Sequence, residues 1–411
     1  MAAYSLHRAL TTKPNSLLLH SSKLSFFSTN TSPSPSPSPS PFSSFRAAQS
    51  TIVTESNPNK IADVLLSQSS FSAFTRYRPI YPYAIRKLAR ANRCDLVARI
   101  VEDHLATKKN ISEGFVIRFI MLYSEAGMVD HALRLFYEFM PQFHSSEKPK
   151  LFCAILTALL NNSNFEKFHE VFDDVVESSS VSPGVKVYNL KLRAQCEEGN
   201  VELAEKLLVG KMEKEFGVLP EIIHSYNVML GAYLKRKDWR KFDEMVKDVL
   251  SKGLEGNVTT YKHRIVRLCK EKESAGAKEL LDEMMAKGIT PNAACYNWII
   301  YGFCRVGDLE LAKLVLEKMI SDGSVAPSSL TYYTLFRHMV QEGEFVAALD
   351  TCKVIFKRKW VPPFEAMEGL VKGLVEMSNR KDAIKMVKKM KKRLRGPALV
   401  SWGKVEAALP L

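Results

Sequence analysis

The sequence lacks most of the features on which enzymes and membrane proteins depend. It contains no GxxxxGK[ST], GxGxxG or GxSxG, which removes the usual nucleotide loops and the nucleophile elbow. Its nine histidines show no His-Glu-x-x-His or other ligand spacing, so neither a metal site nor a metalloenzyme is expected. Seven cysteines, an odd number, include no Cys-x-x-Cys pair, which argues against a disulfide framework and a cysteine zinc site and fits a reducing compartment. Long apolar runs are missing too. A membrane-crossing helix needs about 18–20 apolar residues, and the longest run here, LFCAILTALL at 151–160, would make a buried helix at most. No cofactor and no small-molecule substrate is implied.

Acidic residues are absent from the start of the chain, where the first carboxylate is Glu55. Arg8, Lys13, Lys23 and Arg46 lie before it, among many serines and leucines. That is the profile of an organelle transit peptide. A basic helix around Arg8 favours mitochondria, while Met-Ala-Ala and the serines make a plastid the alternative. TSPSPSPSPSP (31–41) is a low-complexity, extended segment. Residues 1–50 are therefore set apart from the fold, and 51–77 are expected to be a linker with one short leading helix over 58–72. Net charge is +14, and removing the four leader cations leaves 14 − 4 = +10, a basic balance that suits polyanionic partners.

What the chain does contain is periodic. Tyr226, Tyr261 and Tyr296 are 35 residues apart, Tyr332 follows after 36, and Tyr188 lies 38 before the first. Ala277, Ala312 and Ala348 recur at 35 and 36, as Pro291, Pro327 and Pro362 do at 36 and 35. In CYNWIIYGFCRVGD (295–308), Tyr296, Ile299, Ile300, Phe303 and Cys304 form one apolar face of a helix, and Gly307 supplies the left-handed residue that ends it. Ala312, Val315, Leu316, Met319 and Ile320 repeat the spacing for a second helix, closed by Gly323 and Pro327. Cys196, Cys269 and Cys304 share the twelfth place of their units and read as core packing.

This grammar gives nine two-helix units, at 78–112, 113–148, 149–184, 185–222, 223–257, 258–292, 293–328, 329–363 and 364–398. The fold class is all-α, a solenoid of helix-turn-helix repeats with degenerate ends that act as caps. Residues 399–411 are expected to add a terminal helix that includes Trp402.

A helical pair with Tyr-Asn near its start, a central Gly, an Ala, a late Met and a closing Gly-x-x-Pro resembles the pentatricopeptide repeat. TTYKHRIVRLCKEKESAGAKELLDEMMAKGITPN (259–292) carries the likeness well. The resemblance implies a right-handed superhelix whose inner groove takes single-stranded RNA at roughly one nucleotide per repeat. In the family, the residue after the Tyr and the last residue of the unit read the base edge. An amide suits that task because it offers a donor and an acceptor. Asn227 with Asn257, and Asn297 with Ser328, look like pyrimidine readers leaning to cytosine. Asn189 with Glu221, and Lys262 with Asn292, depart from the pattern, as do Ile117, Cys153 and Tyr333. The aliphatic wedge expected at the second place is replaced by Lys150, Lys186, His224, Thr259 and Ala294, and only Leu330 is close to type.

Lys388, Lys389, Lys391, Lys392 and Arg393 belong to the densest basic run, flanked by Lys385 and Arg395, and are candidates for gripping phosphate. Trp298 and Tyr301 flank an inner helix and could stack on a base. The tail 369–409, KIADVLLSQ and GFVIRFIMLYSEAGM resemble a group of short plant pentatricopeptide proteins associated with the mitochondrial ribosome. Two readings follow. One is a trans-acting organellar RNA-binding factor that works by occupancy. The other is a ribosome component touching ribosomal RNA and mitochondrial ribosomal proteins. A protein-binding scaffold is the third and least favoured.

Overall fold

Each apolar run spaced at three and four residues folds as a helix, and glycine or a short polar turn ends it. A computed structural model of the chain describes residues 41–67, 80–106, 111–144, 146, 148–178, 181–217 and 222–408. The leader expected to be a transit peptide lies, up to residue 40, outside them. Among the described residues there are helices and turns and no strand.

Two helices lead, α1 (Pro41–Thr54) and α2 (Pro58–Ser67). Five pairs follow: α3 (Ile80–Arg90) with α4 (Cys94–Ala106), α5 (Glu113–Glu125) with α6 (Val129–Phe139), and α7 (Lys148–Asn161) with α8 (Phe165–Glu177); then α9 (Val185–Glu198) with α10 (Val201–Leu207) and its continuation α11 (Glu213–Phe216), and α12 (Ile223–Arg236) with α13 (Trp239–Ser251). Four more are α14 (Val258–Lys270) with α15 (Ser274–Ala286), α16 (Ala293–Arg305) with α17 (Leu309–Asp322), α18 (Ser329–Gln341) with α19 (Phe345–Lys357), and α20 (Phe364–Glu376) with α21 (Arg380–Arg393). Helix α22 (Gly396–Ala408) closes the series. The described residues fall into two compact units that divide within α12, between Ala232 and Tyr233.

The leading segment differs from its sequence reading. Helix α1 starts at Pro41, inside the tract expected to stay extended, because proline is well placed in the first turn of a helix and helix-forming residues follow it. Ile52 is buried, and Lys87 Nζ donates to the carbonyls of Ile52 at 2.8 Å and Glu55 at 2.6 Å, satisfying groups that the end of α1 leaves unpaired.

In the C-terminal unit, successive first helices α14, α16, α18 and α20 pack on one another, and each second helix packs on its own partner and on the next first helix. Close approach needs small residues. Ala277, Ala312, Ala348 and Ala383 are fully buried. A Cβ on Gly302 would lie 2.8 Å from both Cys269 Sγ and Ser274 Oγ, so only glycine lets α16 reach α14 there. Trp402 of α22 is fully buried and meets Phe364 edge-on at 5.3 Å, covering the last pair.

In the N-terminal unit α3, α5, α7 and α9 stack in the same way. Its fourth pair is the irregular one. The interval of 38 residues from Tyr188 to Tyr226 is longer than the usual 35 or 36, and its second helix contains a π-turn over Leu208–Met212. The turn keeps Leu208 and Met212 buried, and past it Glu213 accepts a hydrogen bond from Tyr226 Oη at 2.5 Å.

Candidate nucleic-acid interface

The stacked first helices form a continuous layer in each unit, and the candidate base readers lie on it or at its helix starts. The best-defined group is in the seventh and eighth pairs. Asn297, half-buried on α16, accepts a hydrogen bond from Thr331 Oγ1 at 2.7 Å. Thr331 Oγ1 in turn accepts from the Ser328 backbone N–H at 3.1 Å and lies 3.3 Å from Ser328 Oγ. One fully buried hydroxyl therefore joins the two members of the Asn297–Ser328 pair.

The same bond recurs in the N-terminal unit. Ser225, fully buried, donates to Asn189 Oδ1 at 2.5 Å. Glu221, the expected partner of Asn189, lies outside the described residues. Asn227 is buried on α12 with 6% of its surface exposed.

Asn257 and Asn292 have a structural task that the sequence reading missed. Each is the N-cap of the following first helix. Asn257 Oδ1 accepts from the N–H groups of Thr259 at 3.0 Å and Thr260 at 3.2 Å. Asn292 Oδ1 accepts from those of Ala294 at 3.0 Å and Cys295 at 3.1 Å. For Asn257 the signal was available, since Asn-x-x-Thr before an apolar run is close to a capping box, whereas Asn292 is followed by Ala-Ala-Cys and shows only an asparagine before an apolar run. In both residues the side-chain oxygen is held by the helix start.

Lys262 is half-buried on α14. Beside it burial, with help from the Lys262 charge, pushes His263 down to about 4, so the imidazole is neutral. Leu330, at the wedge place, is 60% exposed. Trp298 and Tyr301 meet edge-on at 5.5 Å, His338 continues the row 6.2 Å from Tyr301, and the Arg305 guanidinium lies 5.8 Å from the Tyr301 ring. Arg305 Nη1 also donates to Lys270 O at 3.4 Å, and Lys270 Nζ to Leu234 O at 3.3 Å, so these basic residues sit on the negative ends of the preceding first helices.

The phosphate candidates are on α21, a second helix, and on its C-terminal end. Lys388 and Lys392 are exposed and align with Lys381 and Lys385 along one face, while Ala383, Met386, Val387 and Met390 bury the other. The remaining candidates have intramolecular partners. Lys391 pairs with Glu406 at 2.8 Å, Lys389 lies 5.6 Å over the Phe356 ring, and Arg393 donates to Phe356 O at 3.4 Å.

Other recesses suit a polyanion less well. A cleft of about 760 Å³ under α13 and α15 sets Lys247, Arg264 and Arg267 against Asp243, Glu273, Glu279 and Glu283. Cys269 and Cys304 are buried, and burial pushes their thiols up to about 12, as it does that of Cys196. No group of His, Cys, Asp or Glu among the described residues is placed to hold a metal ion.

Comparison with known proteins agrees with the repeat pattern. The model of the PPR repeat family matches residues 257–305, and that of the PPR repeat matches 119–140, 224–254 and 294–324. The chain is similar to the small ribosomal subunit protein mL103 (rPPR7) of Arabidopsis thaliana, 28% identical over 366 residues, 89% of this chain and 87% of that one. It is also 26% identical over 328 residues to a mitochondrial pentatricopeptide repeat-containing protein of the same plant, covering 80% of this chain and 76% of the other. A third relative, the small ribosomal subunit protein mS78 (rPPR3a), is 28% identical over 163 residues, 40% of this chain and 41% of its own. Among solved structures, the pentatricopeptide repeat protein PPR10 from maize aligns at TM-score 0.49 and 16% identity, over 88% of this chain and 60% of that one.

Proposed function

We propose, from the premise that the chain is a pentatricopeptide repeat protein, that it binds RNA in mitochondria and works there as a component of the small ribosomal subunit. Its action is occupancy and not chemistry. RNA lies along the layer of first helices, held by amide hydrogen bonds, aromatic contact and cation–phosphate attraction. The observation that carries the ribosomal part is the end-to-end similarity to mL103, which spans 89% of this chain and 87% of that protein. The wedge place supports the same reading. Lysine, histidine, threonine or alanine stands where an aliphatic spacer would separate bases, which favours grip on shape and charge over the reading of a long sequence.

A second reading has one specific observation behind it. Hydrogen bonds link Asn297 through Thr331 to Ser328, which supports reading this pair as a base-contacting site. A factor bound to one or a few messages would use such a site. Crosslinking the tagged protein in intact mitochondria and sequencing the attached RNA separates the two. Reads concentrated on ribosomal RNA, with co-sedimentation on the small subunit, are the expected result. A discrete footprint on messages, with the protein away from ribosomes, would replace the ribosomal reading by the transcript-specific one. No RNA above background would overturn both.

A further inference from the structure

Three of the units have asparagine in the fifth place, and each is followed by a hydroxyl residue in the third place of the next unit. Asn189 is followed by Ser225, Asn227 by Thr260 and Asn297 by Thr331. Where the fifth residue is Ile117, Cys153, Lys262 or Tyr333, the corresponding third residues are Leu151, Val187, Cys295 and Ala366, none of them a hydroxyl residue. In each compact unit the structure gives the pairing a reason. Ser225 donates to Asn189 Oδ1 at 2.5 Å, and Thr331 donates to Asn297 Oδ1 at 2.7 Å. Both hydroxyl residues are fully buried, so water does not compete for the bond. In the seventh and eighth pairs the donor direction is further fixed from behind, because Thr331 Oγ1 accepts the Ser328 N–H.

We infer that Ser225 and Thr331 are specificity-determining positioning residues, which turn the amides of Asn189 and Asn297 so that each presents its N–H₂ group, and not its carbonyl, to an RNA base. An amide free to rotate offers either end and accepts either polarity. An amide whose oxygen is held from behind offers two N–H donors and asks for acceptors. Cytosine supplies two adjacent ones, N3 and O2. Uracil carries a hydrogen on N3, which opposes one of the donors. The hydroxyl thus favours cytosine over uracil at that unit without touching RNA itself. Neither Asn189 nor Asn297 has a partner for Nδ2 among the described residues, so the donor is available.

The inference rests on the RNA-binding reading above, and the test separates the two. The full chain, Thr331→Val, Thr331→Ser and Asn297→Ala are titrated with fluorescent oligo(rC) and oligo(rU) of equal length at one salt concentration. Thermal melting checks that each variant folds. A well-placed hydrogen-bonding pair discriminates between bases by roughly 5- to 150-fold. Thr331→Val removes the donor at nearly constant shape, so the rC/rU affinity ratio should fall by about fivefold or more. Thr331→Ser should keep the ratio, and Asn297→Ala should lower it as Thr331→Val does. Binding of both oligonucleotides with the ratio unchanged in Thr331→Val would overturn the inference and leave RNA binding standing. An equal loss for rC and rU would also overturn it, since that is what a purely structural role predicts. Failure of the full chain to bind either oligonucleotide would overturn the RNA reading and the inference together.

Discussion

Replacing Gly302 by alanine tests whether the spacing of first helices is set by contact at this point. Ordinarily the change would help, since glycine inside a helix costs roughly 0.5–1 kcal/mol relative to alanine. Here the new methyl would stand 2.8 Å from Cys269 Sγ, 2.8 Å from Ser274 Oγ and 3.1 Å from Cys269 Cβ. Neither neighbour has room to withdraw. Cys269 is fully buried and Ser274 is 2% exposed, and Cys269 belongs to the continuous core of the C-terminal unit. Overpacking of this kind costs about 1–3 kcal/mol. The net expectation is destabilisation of about 1–2 kcal/mol, felt mainly in α14 and α16, because stability in a repeat array is held between neighbouring units. Hydrogen exchange read on peptides from 258–305 is the suitable assay, since local opening reports local stability. Exchange there should speed up by roughly 5- to 30-fold, with little change in 113–161. The background Cys269→Ala/Ser274→Ala removes both crowding heteroatoms and leaves only the Cβ of residue 269 at 3.1 Å, so in it most of the cost of Gly302→Ala should disappear. The cycle isolates the contact. Unchanged or slower exchange in the single variant, or the same loss in both backgrounds, would refute the reasoning.

Lys272 holds φ 67, a left-handed conformation that costs an L-residue about 1–2 kcal/mol, and its side chain is exposed. Lys272→Gly should raise the melting temperature through a gain of about 0.5–1 kcal/mol, which differential scanning calorimetry would detect. His263 is depressed to about 4 in the fold against about 6.5 in an unfolded chain. Its contribution is fully present above pH 6.5 and is lost as pH falls toward 4, because only the unfolded state takes up the proton in that window. The loss is about 3 kcal/mol, and denaturation midpoints between pH 7 and pH 4 should fall less steeply in His263→Gln. Lys388→Gln/Lys392→Gln removes two exposed cations from α21. If both meet phosphate, the slope of log K against log salt for single-stranded RNA should become shallower by about 1.4, and an unchanged slope would assign this face to solvent.

Much of the fold was legible in the sequence because its repeats obey simple physics. The Tyr296, Ile299, Ile300, Phe303 series and the Ala312, Val315, Leu316, Met319 series are buried as their spacing required. Gly307 sits at φ 80, as a helix stop does. The terminal helix with Trp402 followed from the need to cover the last apolar face. What escaped was local or relational. A π-turn leaves no hydropathy signature, and the sequence showed only a longer interval between Tyr188 and Tyr226. Turn lysines at positive φ, Lys237 at 58 and Lys272 at 67, could not be told from surface lysines by type. Helix α1 was hidden by the proline-serine tract before it.

A pattern of asparagines marks residue types, but it does not say which atoms are already employed. Asn257 and Asn292 end one unit and cap the next helix, a contribution of about 1 kcal/mol each. Their selection for capping is therefore independent of any base, and asparagine at the end of a unit is weak grounds for a reading pair. Asn297 and Asn189 differ in that respect. Each lies inside a helix, where asparagine is a poor choice on propensity alone, and each spends its oxygen on a buried hydroxyl from the next unit. A mid-helix asparagine tied to a buried donor serves the helix poorly and fixes an amide direction well. That is why Asn189 and Asn297, rather than the helix caps, are the residues whose substitution should change which RNA is bound.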